Sequence, residues 1–355
     1  MKKDNEKIMK EMIQKVVTWY QENKRSLPWR KDKNPYTIWI SEIMLQQTRI
    51  EAVKGYYARF LQEIPNIQTL AEIQEERLLK LWEGLGYYNR AKNLQKAAKI
   101  MMEKYQGEMP KSYAELIQLP GVGEYTAGAI ASIAYDEPVP AVDGNVMRVI
   151  TRLLNWKIDI LDPKTKKEIQ KMLQPQMPKE AGDFNEGMME LGEVICLPNS
   201  EPLCEKCPLM DICQARKNGT TKEVPIRKIK TKRKQVDVTV FLLQYQDKIA
   251  IRKRDKNGLL ANLYELPNME RKLTKQEQME WLKKHDLKEI SIKKGKSRTH
   301  IFSHIEWNMQ SYVIQVETEN AEFLWIPLAG IQEDYAIPTA FLPFLKEMDK
   351  KLSND

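Results

Sequence analysis

LPGVGEYTAGAIASIAYDEPVPAVDGN, Leu119 to Asn145, is the stretch on which the reading of the whole chain turns. Pro120 ends any helix that precedes it, because it lacks a backbone N–H and clashes with the preceding turn. Gly121 and Gly123 permit positive φ and let a partner approach bare backbone. Residues 125–134 then read as a helix starting directly after the glycines. The free N–H groups of its first turn point into the glycine turn and can hold a phosphate oxygen. Asp143 follows in Val-Asp-Gly-Asn, just ahead of a second helical run. The stretch thus combines a phosphate-gripping hairpin, a Pro-bounded connection and one carboxylate at a helix start. A Gly-x-Gly turn alone is a weak signal, since many ordinary tight turns contain one.

This order resembles the helix-hairpin-helix, Gly/Pro-rich loop and aspartate motif of the DNA glycosylase superfamily. The resemblance implies a DNA-binding hairpin at Gly121 and Gly123, and catalysis at Asp143.

Composition sets wide bounds. A chain of 355 residues, 42% hydrophobic, has room for two domains with proper cores. It holds no run of apolar residues long enough to span a bilayer, and MKKDNEKIMKEM lacks the apolar core of a signal peptide. A soluble cytoplasmic protein, acting at the bacterial nucleoid and away from membranes, is expected. The net charge of +8 is unevenly placed: residues 217–234 carry eight Lys or Arg against one Glu. That connector reads as a solvated linker or as a strap along a polyanion such as DNA.

Upstream, residues 6–23 read as a helix with Ile8, Met9, Met12, Ile13, Val16, Val17 and Tyr20 at helical spacing. Arg25 and Arg30 flank a break at Leu27-Pro28 and are candidates to meet DNA. Residues 36–50, YTIWISEIMLQQTRI, read as a mostly apolar helix that carries Glu42 beside its core face. A carboxylate there commonly caps, pairs or stays solvated. In a dry pocket its pKa would rise and it could hold a proton for general-acid work. Ser-Glu-Ile-Met-Leu-Gln-Gln-Thr resembles the adenine-specific mismatch glycosylases, the MutY family, which remove adenine opposite 8-oxoguanine or guanine. The resemblance makes Glu42 the catalytic acid. Gln46 and Gln47, with donor and acceptor on one flat group, could fill the gap left by an extruded base or bond the bases beside it, and Gln47 and Thr48 are expected at the DNA. In Gly84-Leu85-Gly86-Tyr87-Tyr88, flat rings and flexible glycines suit a wedge, although paired tyrosines are as often core. The family uses this segment to open the duplex, with Tyr87 intercalating and Leu85 beside it.

Cys196, Cys204, Cys207 and Cys213 are the only cysteines and fall within 18 residues. Such a cluster suggests a thiolate metal site; its spacing fits zinc or a [4Fe–4S] cluster. The family resemblance selects the [4Fe–4S] cluster, although the first gap is one residue longer than usual. It also assigns active-site positions to Tyr125, Asn145 and Glu186. After the connector, residues 235–244 and 248–251 read as paired strands. Helices are expected near 274–285 and 340–352, and strands near 289–294 and 305–316. This α+β order resembles the Nudix-like domain attached to the same family, but without the Nudix helix that would bind magnesium for nucleotide hydrolysis. Phe302-Ser303-His304 stands where the family recognises 8-oxoguanine; without the resemblance it is a hairpin loop.

The expected protein is therefore multidomain. Residues 1–216 form an all-α helix-hairpin-helix glycosylase domain with an iron–sulfur cluster loop. Residues 217–234 form a basic linker, and residues 235–355 an α+β Nudix-like domain that recognises 8-oxoguanine. A monomer acting on double-stranded DNA with A:8-oxoguanine or A:G mispairs is expected. In endonuclease III relatives a lysine nucleophile occupies the hairpin position held here by Tyr125, so a monofunctional enzyme is expected. The competing readings are a non-catalytic damage binder, which would need neither Glu42 nor Asp143, and a zinc-stabilised nucleotide hydrolase.

Overall fold

A computed structural model describes residues 2–228 and 232–352. The first part of the chain is helical: α1 (Lys2–Asn23), α2 (Pro35–Leu45), α3 (Ile50–Glu63), α4 (Ile67–Glu72), α5 (Glu75–Leu81), α6 (Asn89–Lys104), α7 (Tyr113–Leu116), α8 (Glu124–Tyr135), α9 (Gly144–Leu153), α10 (Pro163–Leu173), α11 (Ala181–Val194) and α12 (Gln214–Lys217). The remainder is mixed: β1 (Lys234–Tyr245), β2 (Lys248–Lys253), β3 (Tyr264–Glu265), β4 (Asn268–Met269), α13 (Lys275–Lys284), β5 (Glu289–Ile301), β6 (Ile305–Val316), β7 (Leu324–Pro327), α14 (Leu328–Asp334) and α15 (Leu342–Leu352).

The chain divides into two compact units, Met1–Glu72 with Asn93–Ile229, and Ile73–Lys92 with Lys230–Asp355. This differs from the boundaries expected from composition. Residues 73–92, helical and early in the chain, fold with the C-terminal residues. The basic connector does not begin as a free linker either. Arg152 Nε donates to Val224 O at 2.8 Å, Ile160 N to Ile226 O at 3.1 Å, and Lys228 N to Asp159 Oδ1 at 3.3 Å. Residues 229–231 of that connector lie outside the described residues.

In the helical unit, the core face of α1 (Met9, Met12, Ile13, Val16) packs with Val146, Val149, Ile150 and Leu153 of α9 and with Phe184, Met188 and Leu191 of α11. These positions repeat at three- and four-residue spacing, which sets one apolar stripe of each helix toward the others. The hairpin between α7 and α8 is a Pro-Gly turn. Val122 N donates to Leu119 O at 3.1 Å, and Gly121 takes φ +78°, as a type II turn requires at its third position. Gly123 behaves otherwise than expected. It is the N-cap of α8 at φ −90°, ordinary extended backbone, and its value is that it offers no side chain to take the first-turn N–H groups.

The second unit is built on a mixed sheet in the order β3-β2-β1-β6-β5, with β4 on β1 and β7 on β2. β1 and β6 run parallel from Lys234↔Ile305 to Gln244↔Gln315. The centre of β1 is buried on both faces. Val238, Val240 and Leu242 enter a core with Phe341 and Phe344, whereas Phe241 and Leu243 enter a second core with Trp281 and Leu282. A central strand covered on both sides reads as a continuous apolar run, which is how VTVFLL stands in the sequence. The short β3, β4 and β7, and α14, fall below the length at which a period can be read.

Candidate active site

Three elements converge on one recess. α2 carries Glu42, α8 carries Tyr125 one residue after its start, and Asp143 caps α9. α11 closes the group with Glu186. Tyr125, Asp143, Asn145 and Glu186 are each half-buried.

Glu42 is buried, and its Oε2 has no hydrogen-bond partner among the described residues. Such an oxygen costs stability unless it is protonated or awaits a ligand. Burial pushes its pKa up to about 7 from the ordinary 4.5. The nearby charges of Glu186 and Asp143 act in the same direction, while donation from Tyr125 and the charge of Arg30 oppose them. The Tyr125 hydroxyl also lies 3.2 Å from Met189 Sδ; a carboxylate is the stronger acceptor of the two.

Asp143 has a different environment. Its Oδ1 accepts from Val146 N at 2.8 Å, as an N-cap does, and its Oδ2 from Asn145 Nδ2 at 2.9 Å. Burial raises its pKa, but these two donors and the charge of Arg148 favour the carboxylate. Asn145 is itself fixed, since Arg148 Nη2 donates to its Oδ1 at 2.7 Å. Gly192 of α11 passes so close that an added Cβ would stand 2.5 Å from Asn145 Cβ. The connection ahead of Asp143 is held by buried Asn185, which accepts from Ala141 N at 3.0 Å and donates to Val139 O at 2.9 Å. Asn185, Arg148 and Gly192 were not picked out from the sequence; each has a partner 40 or more residues away, and no local pattern marks them.

Arg25 and Arg30, expected at the DNA, turn inward. Arg30 pairs with Glu186 at 3.0 Å and Glu190 at 2.9 Å, while Arg25 pairs with Glu190 and with Glu193 at 2.5 Å. These guanidinium edges are occupied by carboxylates, so the two arginines brace α11 and Glu186. Burial acts to raise the pKa of Glu190, but Arg25 and Arg30 outweigh it and hold that carboxyl below its ordinary value.

The helix expected over 36–50 stops at Leu45, and Gln46 is its C-cap. Gln47 is exposed at φ +58°, and Gln46 Nε2 instead reaches Thr126 Oγ1 at 3.2 Å. Thr48 is half-buried in the same turn. In the second unit, Tyr87 is 49% exposed and Leu85 only 6%, so the tyrosine is presented and the leucine, expected at the DNA, lies beneath it. Tyr87 OH stands 3.3 Å from Ser303 Oγ. Ser303 and His304 are exposed at the turn between β5 and β6, and Phe302 is seated edge-on against Trp307 at 5.0 Å. Two segments more than 200 residues apart therefore meet at one spot.

Cys196, Cys204, Cys207 and Cys213 line one apolar cavity with Leu153, Leu191 and Leu209. Among the described residues no three His, Cys, Asp or Glu side chains close to the geometry of a single metal ion. Burial pushes the Cys207 thiol up to about 12 and raises Cys204 and Cys213. Arg152 Nη1 donates to Cys196 Sγ at 3.3 Å, which sets a guanidinium against that sulfur. Four sulfurs around a shared cavity, with a cation at one of them, fit a thiolate-held cluster.

A glycine hairpin, a buried acid and a capping aspartate on three packed helices define a helix-hairpin-helix enzyme of base-excision DNA repair. Residues 40–175 match the HhH-GPD superfamily base excision DNA repair protein, and residues 239–347 the NUDIX domain. The helical part is similar to a solved thermostable thymine-DNA glycosylase, with 28% identity, TM-score 0.53, and coverage of 60% of this chain and 98% of that one. It is likewise similar to a trapped endonuclease III–DNA covalent intermediate, with 27% identity, TM-score 0.52 and the same coverages. Among curated relatives, the adenine DNA glycosylase of Buchnera aphidicola from Schizaphis graminum is 37% identical over 82% of this chain and 84% of its own length. That of Buchnera aphidicola from Acyrthosiphon pisum is 32% identical over 96% and 98%. The mouse adenine DNA glycosylase is 42% identical over 56% of this chain and 41% of its own. The chain belongs to the adenine DNA glycosylase family. It is an enzyme that removes adenine from DNA in base-excision repair, and none of its described helices is long and apolar enough to cross a membrane.

Proposed function

We propose that this enzyme flips adenine out of mispairs with 8-oxoguanine or guanine and hydrolyses its N-glycosidic bond, leaving an abasic site. The observation that carries the chemistry is the contrast between its two carboxyls. Glu42 has a pKa near 7 and an unpartnered oxygen, whereas Asp143 receives two hydrogen bonds. Two carboxyls in unlike environments suit glycosidic cleavage, which needs a proton for the leaving group and a negative charge beside the developing sugar cation. Glu42 gives its proton to a ring nitrogen of the flipped adenine. The electron pair of the C1′–N bond leaves with the base. Asp143 stabilises the cation at C1′ until water adds there, giving up a proton that restores the Glu42 carboxyl. Tyr125 and Asn145 orient the two carboxyls, and Glu186 receives the extruded base.

The similarity to an endonuclease III–DNA complex supports a DNA substrate, and a base inside a duplex must leave the stack before it can be reached. Exposed Tyr87 next to Ser303 supports joint reading of the partner base by the wedge and the 302–304 turn. With Tyr125 in the hairpin, no amine stands there to form a Schiff base, and strand cleavage is not part of the reaction. Gly121, Gly123, Gln47 and Thr48 are the proposed backbone contacts to DNA. The cysteine cavity is proposed to hold a [4Fe–4S] cluster through Cys196, Cys204, Cys207 and Cys213; when bound, it ties the loop of residues 196–213 together structurally. A monomer with a helical catalytic domain and a C-terminal recognition domain completes the reading.

The test is single-turnover base release from duplexes with A opposite 8-oxoguanine, G or T, with and without alkali, beside Glu42→Gln. Alkali-dependent breaks at the first two substrates, lost in the variant, are expected. Tight binding without base release overturns the catalytic reading, and breaks without alkali overturn the monofunctional one. Iron and sulfide content of the purified protein checks the cluster; zinc in their place refutes it.

A further inference from the structure

Glu83 lies at the start of the wedge segment and is 19% exposed; Lys80, one turn earlier, is 10% exposed. Glu83 Oε1 accepts from the backbone N–H of Ile337 at 2.7 Å, and Oε2 from Lys80 Nζ at 2.7 Å. Lys80 Nζ also donates to Tyr335 O at 3.0 Å. The two side chains thus hold the backbone of residues 335–337 at two points, within the compact unit that joins 73–92 to the C-terminal residues. Ile337 is buried, so without Glu83 its N–H loses its partner. Lys92 Nζ to Ala261 O at 2.6 Å and Asn262 Nδ2 to Glu75 Oε1 at 2.7 Å hold the flanking helices to the same unit.

The backbone just beyond Glu83 gives the grip its consequence. Gly84, Gly86 and Tyr87 take φ of +95°, +70° and +47°, so the segment reverses within four residues and ends at the exposed ring. Arg90 secures the far side by donating to Leu85 O and Gly86 O at 3.0 and 3.1 Å. With both sides held, the direction of Tyr87 is set by where Glu83 is anchored.

We propose that Glu83 and Lys80 are positioning residues: a latch that makes the wedge a working part of the C-terminal unit and thereby sets how strongly the enzyme prefers a damaged partner base. Partner-base reading by Tyr87 and the 302–304 turn, proposed above, is the premise. The latch holds those two groups in register, and its contacts reach backbone atoms, so it acts regardless of the side chains at 335 and 337. Glu42 and Asp143 are untouched by it.

The experiment compares wild type, Glu83→Ala, Glu83→Gln and the surface control Lys288→Ala in single-turnover release from A:8-oxoguanine and A:G duplexes. The enzyme concentration giving half-maximal rate and the maximal rate are recorded separately. For Glu83→Ala the half-maximal concentration on the 8-oxoguanine duplex rises roughly tenfold, the loss expected for one part-buried, charge-assisted hydrogen bond. The maximal rate changes less than about twofold, because the chemistry is elsewhere. The preference over A:G shrinks accordingly. Glu83→Gln, which keeps an acceptor for the Ile337 N–H, falls between, and Lys288→Ala matches wild type. Hydrogen exchange at the Ile337 amide accelerates in Glu83→Ala. An undiminished preference in both Glu83 variants, or an equal loss of maximal rate on both duplexes, overturns the latch. If Glu83→Ala does not fold, Glu83→Gln alone decides by the same ratio. A wild-type enzyme without preference between the two duplexes overturns the partner-base reading instead.

Discussion

The acid role given to Glu42 makes the pH dependence of base release diagnostic. With its pKa pushed up to about 7 by burial, Glu42 is protonated through the weakly acidic range and loses its proton as pH rises past neutrality. A general acid works only in its protonated form. Release should fall above that pKa, by about fivefold from pH 7 to pH 8 and about tenfold per unit beyond. The enzyme is kept well below saturation, so that the ionisation observed is that of the free protein. Two substitutions then move the alkaline limb in opposite directions. The negative charge of Glu186 raises the Glu42 pKa, so Glu186→Gln lowers it and draws the limb toward acid. The Tyr125 hydroxyl stabilises the charged form, so Tyr125→Phe raises it and pushes the limb toward alkali. Absolute rates fall in both variants, because both side chains line the recess, but the position of the limb is independent of that loss. A rate that stays level between pH 6 and 9, or two variants that shift the same way, refutes the assignment of Glu42 as the acid.

Asp143→Asn keeps a side-chain oxygen for Val146 N, so the helix cap is retained, but sets an amide nitrogen against Asn145 Nδ2, and release slows about 100- to 1,000-fold through loss of the charge facing C1′; an unchanged rate reduces Asp143 to a helix cap. Gly192→Ala drives a methyl to 2.5 Å from Asn145 Cβ, and is expected to cost about 1–3 kcal/mol in urea melts together with a marked drop in release. Glu190→Gln leaves the Arg30 guanidinium short of charge in a buried network and costs about 3 kcal/mol at neutral pH. Because the folded pKa of Glu190 is depressed, that stabilisation is present above the unfolded value and lost as pH falls through the folded one, so wild type and variant converge in acid denaturation.

Much of the site was legible because its signals are local. A Pro-Gly turn, a helix beginning after Gly123 and an aspartate before a helix are each set by residues a few positions apart. So are the apolar periods of α1, α2 and α9, and the double-sided run of β1. Glu42 stood out as a carboxylate against an apolar helix face, and the cysteines stood out by spacing alone.

Tertiary structure decided everything that depends on partners distant in the chain. Whether Glu42 is dry, and so an acid near neutrality, depends on α8 and α11 closing over it. Whether Arg25 and Arg30 meet phosphate or carboxylate depended on α11, some 160 residues later, where Glu190 takes them both. Leu85 and Tyr87 are two residues apart in one flexible segment, and only the positive-φ reversal buries one and presents the other. Residues 73–92 are joined to the C-terminal unit in part by single hydrogen bonds to backbone atoms of 261, 335 and 337. A sequence displays side chains and their periods. Backbone carbonyls and N–H groups are the same at every residue, so where they become binding partners is settled only by folding.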